Sequence, residues 1–202
     1  YLPSEEFHVE DVFSYLYDDI IFISNDNGEY WIPSLGVSSL SNMLPMEAYT
    51  VVIEGDYDIE FNYDNISENL ARTNEMLYFD NDVLKPEYYS INETGLSHPV
   101  IIENIFGQVS SDDEIAIFAN GILVGATKII EDQAKYIIPA WKHIDQYGLE
   151  LDGYKIGDDI EIRLWRKNTN EELVVSYDFN ENKFLDQFIT FGSININDTN
   201  ST

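Results

Sequence analysis

Between Asp112 and Arg166 the chain reads DDEIAIFANGILVGATKII, then IIPAW, then GYKIGDDIEIRLWR: short apolar or alternating runs punctuated by glycine turns. In Ile160 to Trp165 the residues Ile160, Ile162 and Leu164 fall on one face, and Glu161, Arg163 and Trp165 on the other. Asn120-Gly121 stands between two apolar runs, the signature of a type I′ hairpin. Asp152-Gly153 and Gly157-Asp158 mark further turns, and acidic residues stand at the start of the main strands. A period of two with frequent turns admits a β-sandwich and disfavours a helical bundle.

The same pattern extends on both sides. Strands are expected at Val100–Ile105, Glu114–Ala119, Ile122–Ile130, Tyr136–Trp141, Asp159–Trp165, Leu173–Phe179 and Phe188–Phe191. In the leading part, Val9, Val12, Phe13 and Leu16 recur at helical spacing, with Ser4 as a candidate N-cap, which predicts a short N-terminal helix. Ile20–Ile23 and Glu29–Ile32 read as strands about the turn Asn25-Asp26-Asn27-Gly28. Ala48–Ile53 and Tyr57–Tyr63 read as two more across Gly55-Asp56, and Leu35–Pro45 as a loop of small residues. Met76–Phe79 and Tyr88–Ile91 fit strands less clearly. The fold expected is mainly β: two packed antiparallel β modules, as β-sandwiches of immunoglobulin-like or jelly-roll-like form, with the short helix leading. The boundaries read are a small β module over 1–70, a connecting segment over 71–97, a sandwich over 98–192 and a polar tail over 193–202.

Composition narrows function. With 202 residues, 44% hydrophobic and 14% aromatic, the chain can bury a sizeable core. No apolar run reaches the length of a membrane span. The opening YLPSEEF, without Met or a basic leader, suggests a processed or partial chain. Cysteine is absent, which excludes disulfides, thiolate metal sites and cysteine nucleophiles. The net charge is −28, and no Lys or Arg precedes Arg72. Such a field disfavours nucleic acid and anionic membranes as partners. It suits solubility in a salty setting, calcium held by loop carboxylates, or a basic partner.

Two stretches carry a family resemblance. Gly28, Tyr30, Trp31, Pro33, Leu40, Leu44, Pro45, Ala48 and Tyr49 form one pattern. Asp113–Phe118, Leu123–Ala126, Ala140-Trp141, Asp152–Tyr154 and Gly157–Trp165 form a second. Together they resemble β modules of large secreted and surface proteins of bacteria, many from Bacteroidetes and marine relatives. The resemblance implies a secreted, non-catalytic β domain attached to larger surface proteins, hydrolases or virion-like assemblies. Two departures stand out. The Gly-Trp-Asn strand that opens such modules is missing, and Pro45-Met46-Glu47 replaces their Pro-Gly turn. Trimming of the chain before that strand accounts for its absence; alternatively, a module lacking its first strand would expose a sheet edge that a neighbour can fill.

No catalytic constellation is legible, so the chain reads as no enzyme. His8, His98 and His143 form no HxH or HExxH motif; His8 and His98 read as surface residues, and His143 as loop support. Calcium is the one cofactor the carboxylates suggest, at Asp112, Asp113 and Glu114, at Asp152, Asp158 and Asp159, or in the Asn25–Asn27 turn. An aromatic platform for polysaccharide draws on Trp31, Trp141, Tyr154 and Trp165, with Trp165 opposite the aliphatic face of its strand. The leading expectation is an extracellular structural or adhesive module that assembles with neighbouring copies or adjacent domains at a cell or virion surface. The alternatives are a carbohydrate-binding module, with or without calcium, and an accessory domain of a secreted enzyme.

Overall fold

A computed structural model describes residues 5–55, 76–131, 133–185 and 188–196. The chain is mainly β and divides between Phe79 and Asp80 into two units.

In the first unit, β1 (Phe7–His8) leads into a single helical turn, α1 (Val9–Val12), and a 3-10 turn at Ser14–Leu16. The face expected from the spacing is the buried one: Val9, Val12, Phe13 and Leu16 all enter the core. The helix is shorter than the period suggested. His8 is its N-cap and makes no side-chain capping bond, and Ser4 lies outside the described residues. Strands β2 (Ile20–Ser24), β3 (Tyr30–Ile32), β4 (Val37–Ser38), β5 (Asn42–Met43), β6 (Thr50–Ile53) and β7 (Leu77–Tyr78) follow. Five of them form a sheet in the order β6-β2-β3-β4-β7, while β1 pairs with β5.

The β2–β3 turn closes as its residues dictate. Asn25 Oδ1 accepts from the amides of Asn27 (3.2 Å) and Glu29 (3.0 Å). The supposed loop over Leu35–Pro45 is in part β structure, held by buried serines. Ser38 Oγ donates to Leu40 O at 2.7 Å, and Ser39 Oγ accepts from Tyr30 N at 2.9 Å. Trp31 sits at the centre of the core, with Tyr17 edge-on at 5.5 Å. β7, expected inside the connecting segment, covers the free side of β4, and the β4–β7 pairing is parallel rather than antiparallel. The strand expected at Tyr57–Tyr63 lies outside the described residues.

The second unit holds α2 (Asn81–Leu84), capped by Asp80, whose carboxylate accepts from Asp82 N at 3.0 Å. Its strands are β8 (Ser97–Phe106), β9 (Glu114–Ala119), β10 (Ile122–Lys128), β11 (Tyr136–Trp141), β12 (Ile144–Gln146), β13 (Leu149–Leu151), β14 (Ile160–Arg166), β15 (Glu171–Phe179) and β16 (Thr190–Asn195). Seven run in the order β10-β9-β14-β15-β16-β8-β11. β15 belongs to two layers: its first half pairs with β14 and its second, from Ser176, with β16. The sheet curls almost to a barrel, and β10 meets β11 where Gly125 sits. A Cβ at that position would lie 2.6 Å from Pro139 O, so only glycine lets the strands come this close.

The Asn120-Gly121 turn takes the left-handed conformation at both positions, as a type I′ hairpin requires (φ 48° and 82°). Among the described strands of this unit β16 and β8 pair in parallel, and an isolated parallel bridge joins Lys142 to Tyr154. The strand at the chain's end also outruns the expected boundary, because Ser193, Ile194 and Asn195 continue β16 and Ile194 is fully buried.

Candidate functional site

All six residues of β9 are buried, an unusual outcome for an alternating strand. Ile115 and Ile117 supply the sandwich interior. Ala116 and Phe118 point the other way and are covered by Tyr89, Ile91, Leu123 and Trp165. Residues 87–91 therefore lie across the outer face of the sheet instead of adding a strand to it. Glu114, at the start of β9, holds them. Its Oε1 accepts from the amides of Glu87 (2.6 Å) and Tyr88 (2.8 Å), and its Oε2 from that of Tyr89 (3.1 Å).

Side chains complete the strap. The Tyr89 hydroxyl donates to Glu172 Oε1 at 2.8 Å. Burial, reinforced by that carboxylate, pushes the Tyr89 phenol far above its ordinary range. The Arg163 guanidinium lies 4.0 Å from the centre of the Phe118 ring and bonds both Glu161 and Glu172. Burial opposes its charge, but those two carboxylates outweigh burial and raise its pKa.

The calcium candidates meet other partners. Asp113 is buried; its Oδ2 accepts from Ser110 N (2.9 Å) and its Oδ1 from Lys167 N (3.1 Å), which ties two loops together. Asp112 pairs with Lys167 Nζ at 3.2 Å. Asp158 accepts from Lys155 N (2.7 Å) and Asn120 Nδ2 (2.6 Å), bracing two turns. Asp159 pairs with Lys183 at 2.8 Å, and Asp152 stands exposed beside the turn at Gly153. Among the described residues no group of three or more His, Asp or Glu side chains converges as a metal site would.

The four aromatics do not form a platform. Trp31 and Trp141 are core residues, and Tyr154 is buried, stacked on Phe184 at 4.1 Å. Trp165 is half-buried, because Tyr88 stacks on it at 4.4 Å with the rings 5° from parallel. His98 is likewise no surface residue. It lies buried in β8, with Nε2 2.8 Å from Thr190 Oγ1 on β16. His8 packs edge-on against Tyr78 at 5.6 Å, and the His143 amide donates to Tyr154 O.

Comparison with known proteins finds no match among family models, curated proteins or solved structures.

What remains at the surface was not foreseen. β12 and β13 form a two-stranded hairpin with no further backbone partner for either strand among the described residues. Its turn is Tyr147-Gly148, with φ of 54° and 80°. Tyr147 is fully exposed, and Leu149 is more than half exposed. Asp145 lies directly opposite Glu150 across the hairpin. Each choice works against local stability. The left-handed position favours Asn, Asp or Gly over a bulky residue, and like charges opposite one another repel. The turn signal was hidden because Tyr-Gly replaces the usual Asn-Gly.

Among the described residues no helix is long and apolar enough to cross a membrane.

Proposed function

We propose that the protein is a non-catalytic, extracellular β module that builds a surface assembly by docking neighbouring copies through the β12–β13 hairpin. The observation that carries this reading is Tyr147: a wholly exposed aromatic ring held on a left-handed backbone, at the tip of a hairpin whose strand edges are open among the described residues. Folding alone gives no reason for tyrosine there, whereas an aromatic anchor beside an open strand edge suits addition of strands from a second molecule. The carboxylates and the histidine best placed for chemistry in the second unit are engaged within the fold, which supports a non-catalytic role.

Charge sets the conditions. Copies carrying −28 each repel at low ionic strength. Salt screens that repulsion, and the Debye length falls from ~30 Å at 0.01 M to ~3 Å at 1 M. The Asp145–Glu150 repulsion eases in the same way. Sedimentation velocity across this salt range tests the reading: self-association should strengthen as salt rises and be lost in Tyr147→Asn. The same variant should melt at a higher temperature, because asparagine suits the left-handed turn, with a gain of about 1 kcal/mol. A monomer at every salt concentration, or association indifferent to Tyr147→Asn, would overturn the proposal.

A further inference from the structure

At one end of the second unit, a cavity of about 580 Å³ opens between the end of β8, the loop before β9 and the β10–β11 connection. Its volume falls within the range of small-ligand sites, roughly 300–1,000 Å³. Ile129 and Tyr136 contribute buried wall, while Phe106, more than half exposed, stands at the opening. The Tyr136 hydroxyl is already engaged with the backbone of Ile130, at 3.3 Å to both N and O, so it shapes the wall without offering a free polar group. Free polar capacity comes from other side chains. The hydroxyls of Ser110 and Ser111 and the carboxylate of Glu131 line the cavity with no protein partner among the described residues. Gln133 donates to Lys135 O at 2.8 Å, which leaves its carbonyl oxygen able to accept.

We propose that this cavity is a binding site for an uncharged or amino-substituted saccharide. Hydroxyl, amide-carbonyl and carboxylate groups around an exposed aromatic ring match a ligand that presents many hydroxyl donors and an apolar ring face. Among the described residues no cationic side chain lines the cavity, and the carboxylate of Glu131 does. With the net charge of −28, that excludes a phosphate, sulfate or uronate as the favoured ligand, because each would meet a repulsive field without a compensating cation. Glu131 favours an amino substituent for the same reason. The site is separate from the β12–β13 hairpin and does not depend on assembly through it. Nor does it use the tryptophans, which lie elsewhere in the fold.

Three soluble probes test the site in the full chain: cellohexaose, a chitosan hexamer and a uronate hexamer. Amide chemical-shift perturbation locates binding, and isothermal titration measures it. The expected result is binding of cellohexaose, of the chitosan hexamer or of both, with perturbations centred on the lining residues of 104–111, 129–131 and 133–136, and no binding of the uronate. Phe106→Ala should weaken binding by about tenfold, the loss of one ring-stacking contact. Its ring is exposed, so an unchanged melting temperature will separate lost affinity from lost fold. Glu131→Gln should weaken the chitosan hexamer selectively and leave cellohexaose unchanged, while Tyr147→Asn should affect neither. Failure of both neutral and amino probes to bind, uronate binding at equal strength, perturbations elsewhere, or affinity unaltered by Phe106→Ala would each overturn the proposal.

Discussion

Glu114 offers both carboxylate oxygens to the amides of Glu87, Tyr88 and Tyr89, and through them fixes the strap that covers Phe118 and Trp165. Glu114→Ala should cost about 2–3 kcal/mol, since three amides lose a charged acceptor; Glu114→Gln, which keeps one acceptor oxygen, should cost less. Urea unfolding of the two variants measures the difference. Two tyrosines, Tyr89 buried and Tyr49 partly buried, add a pH dependence. Tyr89 lies well above its ordinary value of 10.0, and burial pushes Tyr49 up to about 12. The unfolded chain then releases these phenolic protons before the folded one does. Their contribution is whole below about pH 10 and declines as pH rises through the folded values. Melting temperature should therefore fall from about pH 10 upward, and Tyr89→Phe should flatten part of that fall. None of this was legible beforehand. Alternation gives the face of Glu114 and Trp165, but not which distant segment lies on that face.

At the scale of elements, the sequence was most legible where side chains alternate between the sandwich interior and the outer surface. β9, β10, β11, β14 and β15 begin or end within two residues of expectation, because glycine turns and apolar runs delimit them locally. Two kinds of element stayed hidden. Pieces such as β4 and β5 are two residues long and exist only through pairing with other strands, whereas β7, equally short, falls inside the Met76–Phe79 run read as a weaker strand. The β12–β13 hairpin has exposed strands and an atypical turn, so it carries neither a hydrophobic period nor the usual turn residues. Residues 88–91 were misplaced as a possible strand because Tyr and Ile favour sheets wherever they fall. Gly125 supports a test at this scale. Gly125→Ala should destabilise the second unit by about 2–3 kcal/mol, because the added methyl meets the Pro139 carbonyl, part of the backbone of β11. Ala126→Gly, by contrast, changes no approach between the strands and should cost about 1 kcal/mol or less. Calorimetry on the pair separates closure of the sheet from simple loss of a methyl group.

For the molecule as a whole, −28 spread over 202 residues sets a repulsion that every contact works against. Added sodium chloride should raise the melting temperature steadily between about 0.01 and 1 M, as screening shortens the Debye length. A flat response would mean that counterions are already held at fixed positions. The topology has a consequence in time. β8 lies beside β16 in parallel register, so the first long strand of the second unit takes its neighbour from the last. A chain leaving the ribosome has made β8 some ninety residues before β16 exists to join it to β15. Until then β8 can pair only with β11, and the two layers share no completed strand order. Closing so long a loop before the pairing rewards it is slow. The second unit should therefore fold only after synthesis has passed residue 195, and a chain released before β16 is made should remain open at β8 and β15, exposing two strand edges to aggregation.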